Sequence, residues 1–420
     1  MLTLYICLGY CFAPLAFLVQ VWRGFRDRSH WHALGERFGF GPRLPPNGIW
    51  LHAVSVGEVQ AAAALVRGLK ERFPGRPLLI TTATVTGRAR ALALFGTGAA
   101  VSYLPYDLPG ATARFLERAQ PQVAVILETE LWPNLYRGCA RRGIPVVLAS
   151  ARVSERSVRR YRAFGSLIPR TLATGVLIAA QSADDADRFA QLGASRARIH
   201  VAGNIKFDVE LPAGVEAAGA RRRGDFGASR PVWVAGSTHA GEETAALDAH
   251  EAVAARLVDA LLVLAPRHPP RFDAVASLLE RRGVAFARQS RGERVTPATR
   301  VLLLDTLGEL IECYAAGDVA FVGGSLVPIG GHNLLEPAAL GRAVLAGPYT
   351  GNAAGIANLL SDAGALTVVE DARELAARLG ALLCNPEARA VAGEKGRAVI
   401  EANRGAIRRV LALIEPLVRD

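Results

Sequence analysis

The chain has 420 residues, too many for one ordinary hydrophobic core, so we expect at least two domains. Hydrophobic residues make up 51% and charged residues 21%, which excludes an intrinsically disordered protein. The net charge of +11 favours anionic partners, but only 7% of residues are aromatic and no basic run is interleaved with aromatic residues, so we expect no nucleic-acid partner.

The first 22 residues contain no charged residue and no histidine, and they are long enough to cross a bilayer as a helix. Arg23, Arg26 and Arg28 follow directly. A cleavable signal peptide carries its positive charge before the apolar region, so this order predicts an N-terminal membrane anchor with the rest of the chain in the cytoplasm. Whether the helix spans the bilayer or lies flat in its interface stays open.

Apolar strands alternate with helices through the first half, which predicts a doubly wound parallel sheet in an α/β fold. We expect strands at Ile49–Ala53, Leu78–Thr82, Val101–Leu104, Val123–Leu127, Val146–Ala149, Gly175–Ala180 and Ile199–Ala202. Ligands bind at the carboxyl ends of such strands. The polar candidates at those ends are His52, Ser55, Thr84, Glu128, Glu130 and Arg152, with Gly57 and Glu58 in the turn after the first strand.

Two charged segments of the first half have competing interpretations. Residues 152–162 are rich in arginine and form either a solvated helix face or a contact with an anionic substrate or lipid headgroup. Asp185 and Asp187 form an Asp-x-Asp pattern, which some metal-dependent glycosyltransferases use to hold a divalent ion. Both acids fall in the first turn of a helix after Ser182, where they suit capping and the helix dipole, so we predict no essential metal and no cofactor.

Residues 211–230 contain Pro212, several glycines and three consecutive arginines, and we interpret them as a linker. Strand–helix alternation then resumes, with strands expected at Val232–Ala235, Leu261–Leu264, Val301–Leu304, Asp318–Val322 and Ala343–Ala346. The predicted division is therefore an anchor (1–22), a first domain (23–210), the linker and a second domain (231–420). Neither half contains Gly-x-Gly-x-x-Gly, which argues against a dinucleotide-dependent oxidoreductase.

The segment 321–337 carries two Gly-Gly pairs between a strand and a helix expected to start near Asn333. Backbone N–H groups of the first turn, Gly323, Gly324 and Ser325, can approach a phosphate, and the helix start adds its positive dipole end. Glu336 lies one turn further, where a carboxylate can accept hydrogen bonds from ribose hydroxyls. A capping box of Asn333 and Glu336 is the alternative.

Further polar groups follow other strands of the second half: Ser237, Thr238, Arg267 and His268. Arg267 and His268 are suited to binding a phosphate group. One nucleotide-sugar pocket explains the shared position of these residues at strand ends.

The sequence carries motifs that resemble those of the Kdo (3-deoxy-D-manno-oct-2-ulosonic acid) transferase family of lipopolysaccharide biosynthesis, in order and over essentially the whole chain. They are Gly35-Glu36-Arg37, Ser55-Val56-Gly57-Glu58, the segment 128–134, Gly236-Ser237-Thr238-His239, Pro266-Arg267-His268 and the segment 330–337. The resemblance implies a GT-B architecture, with two facing Rossmann-like domains that bind the acceptor and the donor nucleotide respectively. It also implies CMP-Kdo as donor, lipid IVA (the lipid A precursor) as acceptor, and attachment to the cytoplasmic side of the inner membrane.

In that family the glutamate of the Gly-Glu-Arg motif is the proposed general base, which corresponds to Glu36 here. The expected reaction is an inverting, metal-independent transfer in which Glu128 or Glu130 supports Glu36 or orients the acceptor. Arg267 and His268 would stabilise the departing CMP phosphate and Glu336 would hold the ribose. Acceptor contacts are expected from His52, Ser55, Gly57, Glu58 and Arg152. The number of Kdo residues transferred and the oligomeric state stay open.

Two other interpretations share part of this pattern. A UDP-sugar glycosyltransferase or a non-hydrolysing epimerase would also carry the glycine-rich turn and the ribose glutamate, but would need neither the uncharged N-terminal segment nor the Gly-Glu-Arg motif. A non-catalytic membrane-bound scaffold would have no need for carboxylates at the strand ends.

Overall fold

A computed structural model describes residues 1–418 of the chain. They divide into two compact units, the first formed by residues 1–208 with the segment from Asn403 onward, and the second by Val209–Ala402. Each unit is built on one seven-stranded sheet in which every neighbouring pair of strands is parallel. The predicted α/β fold with two parallel sheets is therefore confirmed.

The first sheet has the strand order β3-β2-β1-β4-β5-β6-β7. Its order reverses between β1 and β4, and the crevice at such a reversal is where doubly wound folds bind ligands. The strands are β1 (Gly48–His52), β2 (Leu78–Thr82), β3 (Ala100–Tyr103), β4 (Pro121–Leu127), β5 (Val146–Ala151), β6 (Leu177–Ala180) and β7 (Ile199–Val201).

Helices cover both faces of this sheet, so successive residues of one strand enter different cores. In β1, Trp50 packs in one hydrophobic cluster while Ile49 and Leu51 pack in the other. The helices are α1 (Leu2–Arg26), α2 (Val56–Arg72), α3 (Val85–Phe95), α4 (Pro109–Ala119), α5 (Pro133–Arg141), α6 (Glu155–Arg162), α7 (Leu167–Leu172) and α8 (Ala183–Gln191).

The second sheet has the order β10-β11-β9-β8-β12-β13-β14, which reverses between β8 and β12. Its strands are β8 (Val232–Thr238), β9 (Leu261–Pro266), β10 (Phe286–Arg288), β11 (Val301–Leu303), β12 (Val319–Val322), β13 (Ala343–Ala346) and β14 (Leu366–Val368). The sequence did not predict the edge strands β10 and β14. Each has only three residues, too few for an apolar run to stand out.

The remaining helices are α9 (Val215–Phe226), α10 (Glu242–Ala254), α11 (Phe272–Arg281), α12 (Leu310–Ala316), α13 (Leu335–Ala339), α14 (Ala354–Asp362), α15 (Ala372–Cys384), α16 (Pro386–Asn403) and α17 (Ala406–Ile414). Helix α9 corrects the linker prediction for residues 211–230. Val215 and Phe226 at its two ends are buried in a core cluster of the second unit. Two of its three arginines are ion-paired: Arg222 with Glu309 and Glu312, and Arg223 with Asp318.

Helix α17 corrects the predicted end of the second domain, because it packs on the first unit. Ala406, Val410 and Ile414 lie four residues apart on one face and are fully buried in a core cluster of the first unit. Asp208 fixes the start of the helix by accepting hydrogen bonds from the backbone N–H groups of Gly405 and Ile407, at 2.5 Å each. The amphipathic pattern predicts the apolar face but not the core that receives it.

Helix α1 is the one helix among residues 1–418 that is long and apolar enough to cross a membrane by length and composition. One face contacts the first unit: the Tyr5 hydroxyl donates to Asp107 at 3.0 Å, and Phe17 packs edge-on against Phe38. Many of its other large apolar side chains are exposed, among them Leu4, Leu8, Phe12, Leu15, Leu18, Trp22 and Phe25.

Candidate active site

The first polar cluster lies where β1 and β4 end beside each other. Glu128 directly follows β4, and its carboxylate accepts hydrogen bonds from Lys206 Nζ at 2.8 Å and Arg152 Nε at 3.0 Å. Burial by itself would raise the pKa of Glu128, but Lys206 and Arg152 outweigh it and hold that pKa below its ordinary value. Glu128 has a φ of +57°, a strained conformation of the kind concentrated at functional sites.

Two further carboxylates belong to the same edge. Glu58, in the first turn of α2, accepts hydrogen bonds from Val54 N–H at 2.9 Å and from the Ser55 hydroxyl at 3.2 Å, which is a helix-capping arrangement. For Glu130, burial followed by the negative charge of Glu58 outweighs the lowering effect of Trp132 and raises the pKa to about 7. Glu130 can therefore exchange a proton near neutral pH.

Replacing Glu130 by glutamine should stabilise the protein only at high pH. The folded-state pKa of about 7 lies above the ordinary value, so between pH 4.5 and 7 unfolding releases a proton and the free energy of unfolding falls as pH rises. Glu130→Gln removes this penalty and should raise the free energy of unfolding at pH 8 by about 1–3 kcal/mol, with little change at pH 4.5. Denaturant unfolding at both pH values measures it, with exposed Glu117→Gln as control. An equal shift at both pH values would contradict the assignment.

The Gly-Glu-Arg motif forms a 3₁₀ turn, Leu34–Phe38, fixed against the end of β3. Arg37 is buried, donates to Ala83 O at 3.1 Å and lies 4.0 Å over the Tyr103 ring. The Glu36 carboxylate accepts from Tyr103 N–H at 2.8 Å, and its other oxygen is 3.6 Å from Arg88. The Glu36 side chain is 13% exposed, so Arg37 anchors the turn while Glu36 keeps access to solvent.

The structure corrects the prediction for His52, and it places Asp185 but not Asp187 in the first turn of α8. His52 is fully buried, with Nδ1 2.9 Å from Thr81 Oγ1, and burial lowers its pKa to about 4. It therefore has no surface to offer an acceptor, whereas Ser55 is partly exposed and Gly57 is exposed. Ser182 caps α8 by accepting from Asp185 N–H, as the capping interpretation predicted.

In the second unit, the glycine-rich turn after β12 surrounds a carboxylate of the protein itself. Glu242, the fully buried first residue of α10, accepts backbone N–H groups from Gly324 at 2.7 Å and from Ser325 and Leu326 at 2.9 Å each. A fourth N–H comes from His239 at 2.9 Å. The N–H groups predicted to hold a phosphate are thus already paired. Converging N–H groups can bind any anion, and the local sequence does not say which one.

Three more predicted donor-site groups prove to be internal. The Ser325 hydroxyl is fully buried, donates to Val322 O and accepts from Gly347 N–H at 2.8 Å. Thr238 is fully buried beside Glu243, with 3.4 Å between their oxygens. Gly323 is buried as well. These residues shape the loops, and the prediction that they contact a nucleotide is corrected.

Asn333 and Glu336 do not form the capping box that was the alternative to ribose binding, because Leu334 is the N-cap residue of α13 and no side chain caps it. Helix α13 has five residues and begins at Leu335, two residues later than expected. Asn333 accepts from Leu335 N–H and donates to Glu336 Oε1, both at 3.0 Å. Glu336 is still partly exposed, and burial raises its pKa. The hydrogen bond from Asn333 and a ligand contact are therefore compatible for this carboxylate.

A cluster of cationic and imidazole groups forms at the carboxyl edge of the second sheet. His239, which follows β8, is hydrogen-bonded to His332 with 2.7 Å between their Nε2 atoms, and the His268 ring lies edge-on to His239. Arg267 is exposed and forms no ion pair among residues 1–418, although its charge acts to lower the pKa of Glu336. Unpaired positive charge beside imidazoles is suited to a phosphate. Partly exposed Ser237, with a φ of +57°, ends β8 beside this cluster.

Sequence analysis missed Lys206, Glu242, His239 and His332 as members of these sites. Lys206 meets Glu128 across 78 positions of sequence, and Glu242 meets Gly324 across 82. Such pairings follow from strand order and leave no local pattern. The histidine that ends the motif Gly236-Ser237-Thr238-His239 and the histidine in the segment 330–337 were the available signal for the His239–His332 pair.

Two Rossmann-like units with polar clusters at both strand-order reversals give the chain a GT-B fold. The fold agrees with that of a glycosyltransferase from Rickettsia africae, which matches at a TM-score of 0.56 and 13% identity over 90% of this chain and 100% of that chain. At this identity the likeness concerns the fold alone.

The sequence comparisons define the family. The family model for 3-deoxy-D-manno-octulosonic-acid transferase (kdotransferase) matches residues 32–209. A 3-deoxy-D-manno-octulosonic acid transferase of Haemophilus influenzae is 41% identical over 91% of each chain. One of Bordetella pertussis is 40% identical over 96% of each chain. The chain belongs to the Kdo transferase family of glycosyltransferases.

Proposed function

We propose that the protein transfers Kdo from CMP-Kdo to lipid IVA in lipopolysaccharide biosynthesis, with inversion and without a metal ion. The observation that carries the proposal is the 40–41% identity to Kdo transferases along nearly the whole chain. The UDP-sugar and epimerase alternatives lose their support, because the likeness to such proteins would rest on fold alone.

In the proposed reaction, an acceptor hydroxyl oxygen attacks the anomeric carbon of Kdo from the face opposite CMP. The bond between that carbon and the phosphate oxygen breaks through an oxocarbenium-like transition state, and its electron pair leaves with CMP. The hydroxyl proton passes to a carboxylate, for which we propose Glu36. Glu36 is supported by its fixed orientation on Tyr103 N–H and its partial exposure.

The two carboxylates after β4 suit different roles. Glu128 is bound by two cations, so we propose that it positions Arg152 and Lys206 towards anionic groups of the acceptor. Glu130 is not paired with a cation, and we propose that it orients an acceptor hydroxyl, together with Ser55, Gly57 and Glu58 at the start of α2. Glu128 and Glu130 thus receive different proposed roles, whereas the sequence did not distinguish between them.

For the donor, we propose that Arg267 and His268 contact the CMP phosphate and that Glu336 and Asn333 hold the ribose. Their common position at the carboxyl edge of β9 and β12 supports this arrangement. The Arg267 guanidinium is exposed and forms no ion pair among residues 1–418, so its positive charge is available to a ligand. Ser237 completes the set at the end of β8.

We also propose that α1 attaches the protein to the cytoplasmic side of the inner membrane. Its exposed apolar face, followed by Arg23, Arg26 and Arg28, supports contact with an anionic leaflet. Helix α6 adds four exposed arginines, Arg156, Arg159, Arg160 and Arg162. Co-flotation with anionic vesicles tests this attachment. Absence of binding to both anionic and neutral vesicles would refute it.

Mass spectrometry of lipid IVA, after incubation with the full-length protein, CTP, Kdo and the activating synthetase, tests the reaction. A gain of one or more Kdo masses is expected, and the same spectrum counts the transfers. No gain with intact CMP binding would keep the donor and refute the acceptor. No gain and no CMP binding would refute the proposed donor as well.

A further inference from the structure

The hydrogen bond between His239 and His332 joins two rings end to end. Their planes differ by only 9° while the ring centres are 5.0 Å apart and the Nε2 atoms 2.7 Å apart, so the rings lie nearly in one plane and meet at their tips. Gly324 makes room for this contact, since a Cβ there would lie 2.9 Å from His332 Cδ2. No residue among 1–418 is hydrogen-bonded to Nδ1 of either ring.

This geometry limits the pair to one extra proton. In the neutral pair, one ring donates through Nε2–H and therefore has a bare Nδ1, while the other accepts at Nε2 and carries its proton on Nδ1. One added proton places hydrogens on both Nδ1 atoms and keeps the central hydrogen bond. A second would set two N–H groups against each other at 2.7 Å. The two rings thus titrate as one unit.

The surroundings keep this unit neutral when no ligand is bound. His268, Arg267 and Arg271 face the pair with positive charge or with the capacity for it, and Glu242 is the one carboxylate among residues 1–418 whose charge acts on His239. The Glu242 carboxylate is already bound by four N–H groups. Burial, followed by Arg267 and the neighbouring imidazoles, lowers the pKa of His332 to about 4. A phosphate dianion close to the pair would reverse this balance.

We propose that His239 and His332 form a proton-carrying pair that takes up one proton from solution when a nucleotide phosphate binds beside them. The charged pair then offers two Nδ1–H donors to the phosphate, where the neutral pair offers one donor and one acceptor. This inference rests on the proposed function, which places the phosphate of CMP-Kdo at this edge.

The pair also has a consequence for the transfer step. When the bond between the anomeric carbon and the phosphate oxygen breaks, the electron pair remains on that oxygen and the phosphate gains a second negative charge. A pair charged with one proton stabilises that added charge at the moment it develops. The proton stays on the imidazoles or passes to the CMP phosphate, and it is returned to solution when CMP leaves.

Isothermal titration of the full-length protein with CMP at pH 7.5 tests the proposal. The heat of binding is measured in buffers of different ionisation enthalpy, and its slope gives the number of protons taken up. We expect about one proton per CMP bound for the wild type, since the free pair is neutral and CMP is mostly a dianion at this pH. His239→Gln and His332→Gln should each abolish the uptake and weaken CMP binding roughly tenfold.

Two variants act as controls in the same titrations. His268→Gln removes an imidazole of the cluster that is not part of the pair, and exposed His200→Gln removes one from the first unit. Both should keep the proton uptake. The wild-type titration alone decides the main point, so a variant that fails to fold does not remove the test.

The outcomes separate this inference from the proposed function. CMP binding with no proton uptake by the wild type overturns the pair and leaves the donor assignment standing. Uptake that persists in His239→Gln or His332→Gln, or that disappears in His268→Gln alone, overturns the pair as well. If the wild type does not bind CMP, both the pair and the proposed donor are wrong.

Discussion

Glu36→Gln is expected to lower the rate of Kdo transfer by about 10²–10⁴-fold while CMP affinity stays unchanged. The amide keeps the size of the side chain and can still accept from Tyr103 N–H through its oxygen. It cannot take a proton from the acceptor hydroxyl. The expected loss is therefore in the transfer step and not in donor binding, which we assign to the second unit.

The measurement is single-turnover transfer to lipid IVA, followed by mass spectrometry, alongside CMP titration of the same preparation. Glu71→Gln is the matched control, because Glu71 is an exposed glutamate of α2 in the same unit and should leave the rate unchanged. Glu36→Asp should also be impaired, since withdrawing the carboxylate by one methylene lengthens the distance to the hydroxyl. Near wild-type transfer by Glu36→Gln would show that another group is the base.

The sheets were predictable because both faces of a parallel sheet are buried. Runs such as Val123–Leu127 and Leu261–Leu264 are apolar without interruption, and turn residues bound them on each side. The expected strands therefore recur in the structure within one to three residues at each end. The same reasoning located both carboxyl edges, since the polar residue after each strand was visible in the sequence.

What the sequence could not predict depends on contacts between distant residues. The arginines of α9 look like linker charge until Glu309, Glu312 and Asp318 are found beside them. Helix α17 has the same amphipathic pattern whichever core it covers. His52 stands at a strand end like Glu128, but its side chain turns inwards to Thr81. Position at a strand end predicts proximity to a site, whereas exposure of the side chain decides participation.

The glycine-rich turn is the most instructive case. Converging N–H groups predicted an anion, and an anion is present, but it is the carboxylate of Glu242. Glu242 lies at the start of α10, where the helix dipole also favours a negative charge. Converging N–H groups thus do bind an anion at this turn. Which anion they bind depends on the contact between two loops that are 82 positions apart in the sequence.

Glu242→Ala should lower the free energy of unfolding of the second unit by about 3–5 kcal/mol. The substitution leaves four backbone N–H groups without their acceptor, and Gly324 and Ser325 among them are buried. Each buried unpaired donor costs about 1–3 kcal/mol, partly recovered where water enters. Denaturant unfolding measures the change, and CMP titration should show weakened binding because His239 and the turn after β12 lose their common support.

Two further variants, Glu242→Gln and Glu251→Ala, show whether the loss of stability comes from the hydrogen bonds of Glu242. The amide of Glu242→Gln retains one acceptor oxygen but sets its NH₂ group against a backbone N–H, so we expect an intermediate loss of about 1–3 kcal/mol. Glu251 lies on the same helix and is 62% exposed, so its truncation should change stability by less than about 0.5 kcal/mol. A Glu242→Ala protein as stable as Glu251→Ala would show that the four hydrogen bonds contribute nothing net. If Glu242→Ala is the least stable protein, Glu242→Gln is intermediate and the wild type is the most stable, this carboxylate joins the loops after β8 and β12. It would then fix the conformation of the edge at which we propose that the nucleotide binds.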